Sequence, residues 1–129
     1  MARALEERWQ NGRLIAEATP LGPTAYLIRL EGEFDLHTGR QFERRVLEAL
    51  GRGASELVID LSGVDFIDST TIGIMMRTRK RLAPLRGRVL VICSDRNILR
   101  LFEITALDRM FEIYRTKDEA VEHLDGNGR

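Results

Sequence analysis

Short apolar runs alternate along the chain with longer stretches in which apolar residues return every three or four positions. Leu14–Thr19 and Ala25–Leu30 are two such short runs, separated by Pro20-Leu21-Gly22-Pro23, whose prolines and glycine stop a helix and favour a turn. They predict a strand–turn–strand opening. Phe42, Val46, Leu47 and Leu50 then recur at helical spacing with charged residues between them, which predicts a helix capped by Thr38 and closed at Gly51 and Gly53. Leu57-Val58-Ile59-Asp60-Leu61 reads as a strand covered on both faces. A loop from Ser62 to Asp68 follows, and then a helix from about Ser69 to Leu82, broken near Pro84. Val89–Cys93 predicts another buried strand. Next comes a helix capped by Ser94 or Asp95 that carries Ile98, Leu101, Phe102 and Ile104. Phe111–Tyr114 predicts a last strand, and Ala120, Val121 and Leu124 mark the apolar side of a closing helix.

Strands alternating with helices after an opening hairpin predict an α/β domain with a mixed, mostly parallel β-sheet of four to five strands and about four helices. Loops leaving the C-terminal ends of such strands gather at one edge, where ligands and partners dock. Three qualify: Glu33–Thr38, Ser62–Ser69 and Ser94–Asn97.

Composition narrows the classes of function. At 129 residues the chain fits a single domain: an N-terminal extension over 1–12, the domain itself over 13–124, and a mobile tail over 125–129. Lys+Arg and Asp+Glu number 20 each, so no overall field draws nucleic acid or an acidic membrane. A single cysteine, Cys93, rules out an internal disulfide and suits a reducing compartment. No stretch is long and apolar enough to span a bilayer, and the N-terminus lacks the pattern of a signal peptide. A cytoplasmic address is expected.

The most informative stretch is Val64-Asp65-Phe66-Ile67-Asp68-Ser69-Thr70-Thr71-Ile72-Gly73-Ile74. Acidic residues precede three consecutive hydroxyls and an apolar helix. One reading is capping: Asp68 or Ser69 accepts a hydrogen bond from a free N–H of the first turn, worth about 1 kcal/mol. The other uses the same geometry for regulation. A phosphate on a first-turn hydroxyl meets free N–H groups and the positive end of the helix dipole. It adds roughly 1.5 to 2 negative charges to a rim that already holds Asp65 and Asp68, so a surface that fits an acidic or apolar partner becomes repulsive. Gly73, inside the helix, suggests close packing against a neighbouring element.

Over about residues 13–124 the chain resembles the STAS domain family, specifically the bacterial anti-sigma factor antagonists. The resemblance lies in Gly32-Glu33-Phe34-Asp35, in Val58-Ile59-Asp60-Leu61-Ser62-Gly63-Val64-Asp65-Phe66-Ile67-Asp68-Ser69, and in Ile98-Leu99-Arg100-Leu101-Phe102-Glu103-Ile104-Thr105-Ala106-Leu107. It implies that Asp68-Ser69 is the pair carrying the regulatory phosphorylation, with Thr70 as the second choice. It also implies that Asp35 lies in a loop beside it, and that Asp35, Asp68, Ser69, Thr70, Thr71 and Ile72 form the partner-binding surface. The implied partner is an anti-sigma factor, usually an ATP-dependent serine kinase, with a protein phosphatase resetting the cycle; the protein itself is not a catalyst. Two positions depart from the family pattern. Thr71 stands where a glycine is usual, placing a branched side chain in the kinase's approach and a further hydroxyl that competes for phosphate. Ala106 replaces a glycine common after Ile-Thr, a change read as minor. Thr71 is also what favours the alternative, a STAS-type scaffold that is never phosphorylated, such as a stress-complex or lipid-transporter accessory subunit.

Other candidate chemistries find little support. His37 and His123 belong to different elements and have no ligand-spaced partner, so no metal site is expected. Cys93 reads as a small buried hydrophobe. Neither phosphate-loop motif occurs, no nucleophile–base pattern forms, and no cofactor is expected. Met75 and Met76 read as core. Arg77-Thr78-Arg79-Lys80-Arg81 lacks interleaved aromatics and reads as a solvated helix face or partner contact, without nucleic acid. Ala2–Gln10, with Trp9, leaves two uses open: an extra packed helix or self-association as a homodimer.

Overall fold

The computed structural model describes residues 15–32, 36–65 and 67–127. Asp35, the N-terminal stretch with Trp9, and the side chain of His37 therefore lie outside the described residues.

The strands are β1 (Ile15–Pro20), β2 (Ala25–Gly32), β3 (Glu56–Val64), β4 (Arg88–Ile92) and β5 (Glu112–Tyr114). The helices are α1 (Leu36–Gly51), α2 (Ser69–Leu82), α3 (Arg96–Ile104) and α4 (Lys117–Asn127), with short 3₁₀ turns at Ala83–Leu85 and Leu107–Arg109. The strands form one sheet in the order β1-β2-β3-β4-β5. β1 is antiparallel to β2 and the remaining pairs are parallel, as the opening hairpin and the strand–helix alternation predict.

Alternation along the strands sends side chains to two unequal layers. Ile28 and Leu30, Leu57, Ile59 and Leu61, and Val89, Val91 and Cys93 point to a large core beneath α1, α2 and α3. Phe42, Val46, Ile74, Met75, Ile98 and Phe102 close that core from the helix side. Leu27, Val58, Leu90 and Ile92 point the other way, to a smaller core covered by Ala120 and Leu124 of α4. Arg88 fastens this side: its guanidinium donates to both carboxylate oxygens of Glu112, at 2.8 and 2.6 Å. That contact holds Glu112 below the usual carboxylate range. Tyr114 donates to the same carboxylate at 2.8 Å and stacks on the exposed His123 with ring centroids 4.6 Å apart.

Several boundaries and orientations differ from the sequence expectation. α1 begins at Leu36, so Thr38 is inside the helix and does not cap it. β3 continues to Val64 because Glu31 pairs with Gly63 across a bulge that follows the Arg29–Asp60 pair; Ser62 and Gly63 belong to the strand, not the loop. α4 runs on to Asn127, so residues 125–127 are helical and do not form a tail. Leu47 and Met76, read as core, are 47% and 41% exposed, and Ile104 is 71% exposed. Ala106, where a glycine is common, has φ +61°, left-handed backbone that strains any residue with a Cβ. Cys93 is buried, as expected, and burial pushes its thiol pKa up.

Candidate functional site

β3 and β4 are parallel, so the helices that follow them both start at the same sheet edge. Asp68 caps α2: its backbone is extended (φ −115°, ψ −177°), and Oδ1 accepts from the Thr71 N–H at 2.9 Å. The cap is therefore Asp68, not Ser69. Ser69 is the first helical residue, and its side chain is exposed. Helix geometry leaves the N–H groups of Ser69 and Thr70 without an intrahelical acceptor, so they face the space that a group on the Ser69 hydroxyl would enter. Asp65 is exposed and Asp68 half-buried beside it.

Thr71 is placed differently from the expectation. It is 0% exposed, and its hydroxyl donates to Asp68 Oδ1 at 3.0 Å, the same oxygen that takes its N–H. As the third helical residue it turns under the cap, toward the core. The structure thus closes Thr71 off from solvent, whereas the sequence reading places it on an exposed surface.

Thr70 and Ile72 are half-buried. Ile72 packs against the large core. Thr70 lies against α1, where a Cβ added at Gly39 would come 2.8 Å from its Cγ2. The close approach between helices thus falls at Gly39. Among the described residues, and apart from the helix's own backbone, an added Cβ at Gly73 would meet the Arg77 guanidinium, at 3.4 Å. Among the described residues the predicted close packing at Gly73 is not seen, and Gly39, which no sequence pattern singled out, makes such a contact. α1 and α2 run side by side, bridged by Glu43, whose Oε2 accepts from Arg77 Nε at 3.1 Å and lies 3.7 Å from Arg81 Nη1. So the structure brings Asp68, Ser69 and Thr70 together at the exposed start of α2 beside the first turns of α1, and withdraws Thr71. Asp35 lies outside the described residues.

A groove of about 600 Å³ on the opposite sheet face, lined by Glu17, Arg29, Glu31, Asp60 and Lys117 among others, holds none of the predicted site residues. No helix among the described residues is long and apolar enough to cross a membrane.

The described residues form a small domain with a five-stranded mixed sheet and an Asp-capped helix that has an exposed serine at its first position. The sequence model of the STAS domain matches residues 18–120, and the chain belongs to the STAS domain family. It is 30% identical over 95 residues to a Thermotoga neapolitana homolog of the protein TM1081, covering 73% of this chain and 84% of that one. The anti-sigma F factor antagonist of Lysinibacillus sphaericus is 25% identical over 101 residues, covering 78% and 86%. Among solved structures, the anti-sigma factor antagonist SpoIIAA in its unphosphorylated form superposes with a TM-score of 0.76 at 19% identity, covering 87% of this chain and 97% of that one. That likeness speaks to the fold alone.

Proposed function

We propose that this protein is an anti-sigma factor antagonist working in the cytoplasm. In its unmodified form it binds an anti-sigma factor, an ATP-dependent serine kinase, and frees the sigma factor. Phosphorylation at Ser69 ends that binding, and a phosphatase restores it. The observation that carries the reading is the exposure of Ser69 at the first position of α2, with Thr70 half-buried and Thr71 buried under the cap. Names of relatives at 25% identity and above support it from outside the chain.

The switch works by charge, on a surface already bearing Asp65 and Asp68. A phosphate raises the local negative charge by about 1.5 to 2, and a face that accepts the kinase then repels it. No rearrangement of the core is needed, because the modified hydroxyl makes no hydrogen bond within the described residues.

Incubation with the cognate kinase and ATP, followed by mapping of the phosphate by mass spectrometry, tests this. Transfer to Ser69 that disappears in Ser69→Ala is expected. No transfer together with no binding defeats the reading.

A further inference from the structure

We infer that the cleft between α2 and α3 seats the partner, which brings to it an acidic protein surface with an apolar ridge. This rests on the anti-sigma factor being the partner, and names the surface and the chemistry by which it docks. α2 and α3 follow adjacent parallel strands and both close the large core. Thr71, Ile74, Met75, Thr78 and Leu82 turn the inner face of α2 to the sheet. On one flank Arg77 and Arg81 reach Glu43 of α1. The other flank, with Ile72, Met76 and Arg79, therefore faces α3. Arg79 shows this directly: its Nε donates to the Met110 carbonyl, past the end of α3, at 2.7 Å.

On α2 the residues that face the preceding helix, Arg77 and Arg81, each stand one position before a buried one. α3 runs the same way on the same side of the sheet, so Leu101, one before the buried Phe102, faces α2, with Ile104 a turn further on. Ile72 and Leu101 are half-buried against the large core and form the floor of the cleft. Met76 and Ile104, 41% and 71% exposed, rise beside them. A single exposed apolar residue is ordinary; an apolar floor with two exposed apolar residues on facing flanks marks a contact surface.

Charge selects the occupant. α2 carries Arg77, Arg79, Lys80 and Arg81 and no acid. Glu43 answers Arg77 and Arg81, and the Met110 carbonyl takes Arg79. Lys80 and the exposed Arg100 of α3 have no ion pair among the described residues. Acids gather elsewhere: Asp118, Glu119 and Glu122 are exposed on α4, across the sheet. A chain of zero net charge thus presents cations beside the cleft and acids on the opposite face, which steers an acidic partner to the cleft. Nucleic acid fits less well, because neither helix exposes an aromatic ring on which a base could stack. The sign of the proposed switch agrees. Ser69, Ile72, Met76 and Lys80 fall three or four apart along one stripe of α2. A phosphate at the head of that stripe repels an acidic partner, whereas it would attract a basic one.

Calorimetric titration of the cognate kinase into the full chain and its variants tests this. Met76→Gln combined with Ile104→Gln is expected to weaken binding about tenfold. Lys80→Glu should weaken it about fivefold, by a margin that shrinks as salt is raised. Matched changes elsewhere, Leu47→Gln on α1 and Lys117→Glu on α4, should leave affinity within about twofold. All five side chains are exposed, so none of the changes threatens the fold. Binding by the unaltered chain with no loss in the cleft variants, or with equal losses in the matched ones, overturns the inference and leaves the proposed function standing. No binding by the unaltered chain defeats both. Parallel titrations use a single-stranded oligonucleotide and vesicles of anionic lipid. Tighter binding of either one, lost in Lys80→Glu, overturns the assignment of the cleft to a protein.

Discussion

Two helices of this domain begin in nearly the same way, and only one of them carries an exposed hydroxyl at its first position. α2 and α3 each follow a parallel strand, each starts at the same sheet edge, and each is capped by an aspartate in extended backbone. Asp95 Oδ1 accepts from the N–H groups of Asn97 and Ile98, at 2.8 and 3.1 Å. Asp68 Oδ1 accepts from the N–H and the hydroxyl of one residue, Thr71. At the first helical position stands an exposed Arg96 in one case and an exposed Ser69 in the other. Capping alone therefore confers no function. What differs is an exposed hydroxyl at the first position and, at the third, a hydroxyl turned inward onto the capping carboxylate.

Removing each cap should separate the two starts most clearly. Asp68→Ala leaves the buried Thr71 without an acceptor for its hydroxyl as well as its N–H, and should cost about 2 kcal/mol. Asp95→Ala exposes two N–H groups near the surface and should cost about 1 kcal/mol. Urea denaturation of both variants measures the difference; equal losses would mean that the Thr71 hydroxyl adds nothing to the α2 cap.

A charge placed at the first position of each helix should affect binding in only one. Ser69→Asp is expected to weaken binding to the anti-sigma factor about tenfold, equivalent to about 1.4 kcal/mol. Arg96→Asp, a larger change in charge at the same sheet edge, should leave affinity within about twofold. Calorimetric titration of the kinase into both variants reads this directly. A loss as large for Arg96→Asp would show that the whole edge, and not the start of α2, senses charge.

The role of Thr71 can be isolated with an isosteric change. Thr71→Val keeps the shape and the N–H bond to Asp68 but deletes the hydroxyl, at an expected cost of about 1 kcal/mol. Phosphotransfer to Ser69 should be unchanged in rate and stoichiometry, since a fully buried hydroxyl takes no phosphate. Loss of phosphate on Thr71→Val would return Thr71 to the acceptor surface.

The contrast between Ser69 and Thr71 also marks where the sequence stops being readable. The opening hairpin, the alternation of strands and helices, the start of α2 at Ser69 and the exposure of its hydroxyl all follow from short apolar runs, helical periodicity and Asp-Ser capping chemistry. Thr71 could not be placed the same way, because three consecutive hydroxyls look alike in sequence while the helix turns the third one under the cap. The same limit explains Leu47 and Met76: a period of 3.6 identifies an apolar stripe but not which of its flanking members the neighbouring helix leaves uncovered. Ser62 and Gly63 read as loop because a bulge, set by pairing with β2, is invisible in β3's own residues. Membership of the family was legible from three separated motifs; the Glu43 bridge and the Gly39 contact were not, since both depend on how α1 lies against α2.

The smallest effect compares the two glycines of that helix pair. Gly73 lies inside α2 and, among the described residues, has the tip of the flexible Arg77 side chain 3.4 Å from its missing Cβ, so Gly73→Ala should gain the ordinary helix preference of alanine and stabilise the domain by about 0.5 kcal/mol. Gly39 is also helical, but a Cβ there would sit 2.8 Å from Thr70 Cγ2, closer than side chains pack. Gly39→Ala should show none of that gain, because Thr70, the residue next to Ser69, must move to admit it. Paired thermal melts resolve the difference. If both substitutions stabilise equally, α1 does not press on the start of α2, and the two helices reach the switch region independently of each other.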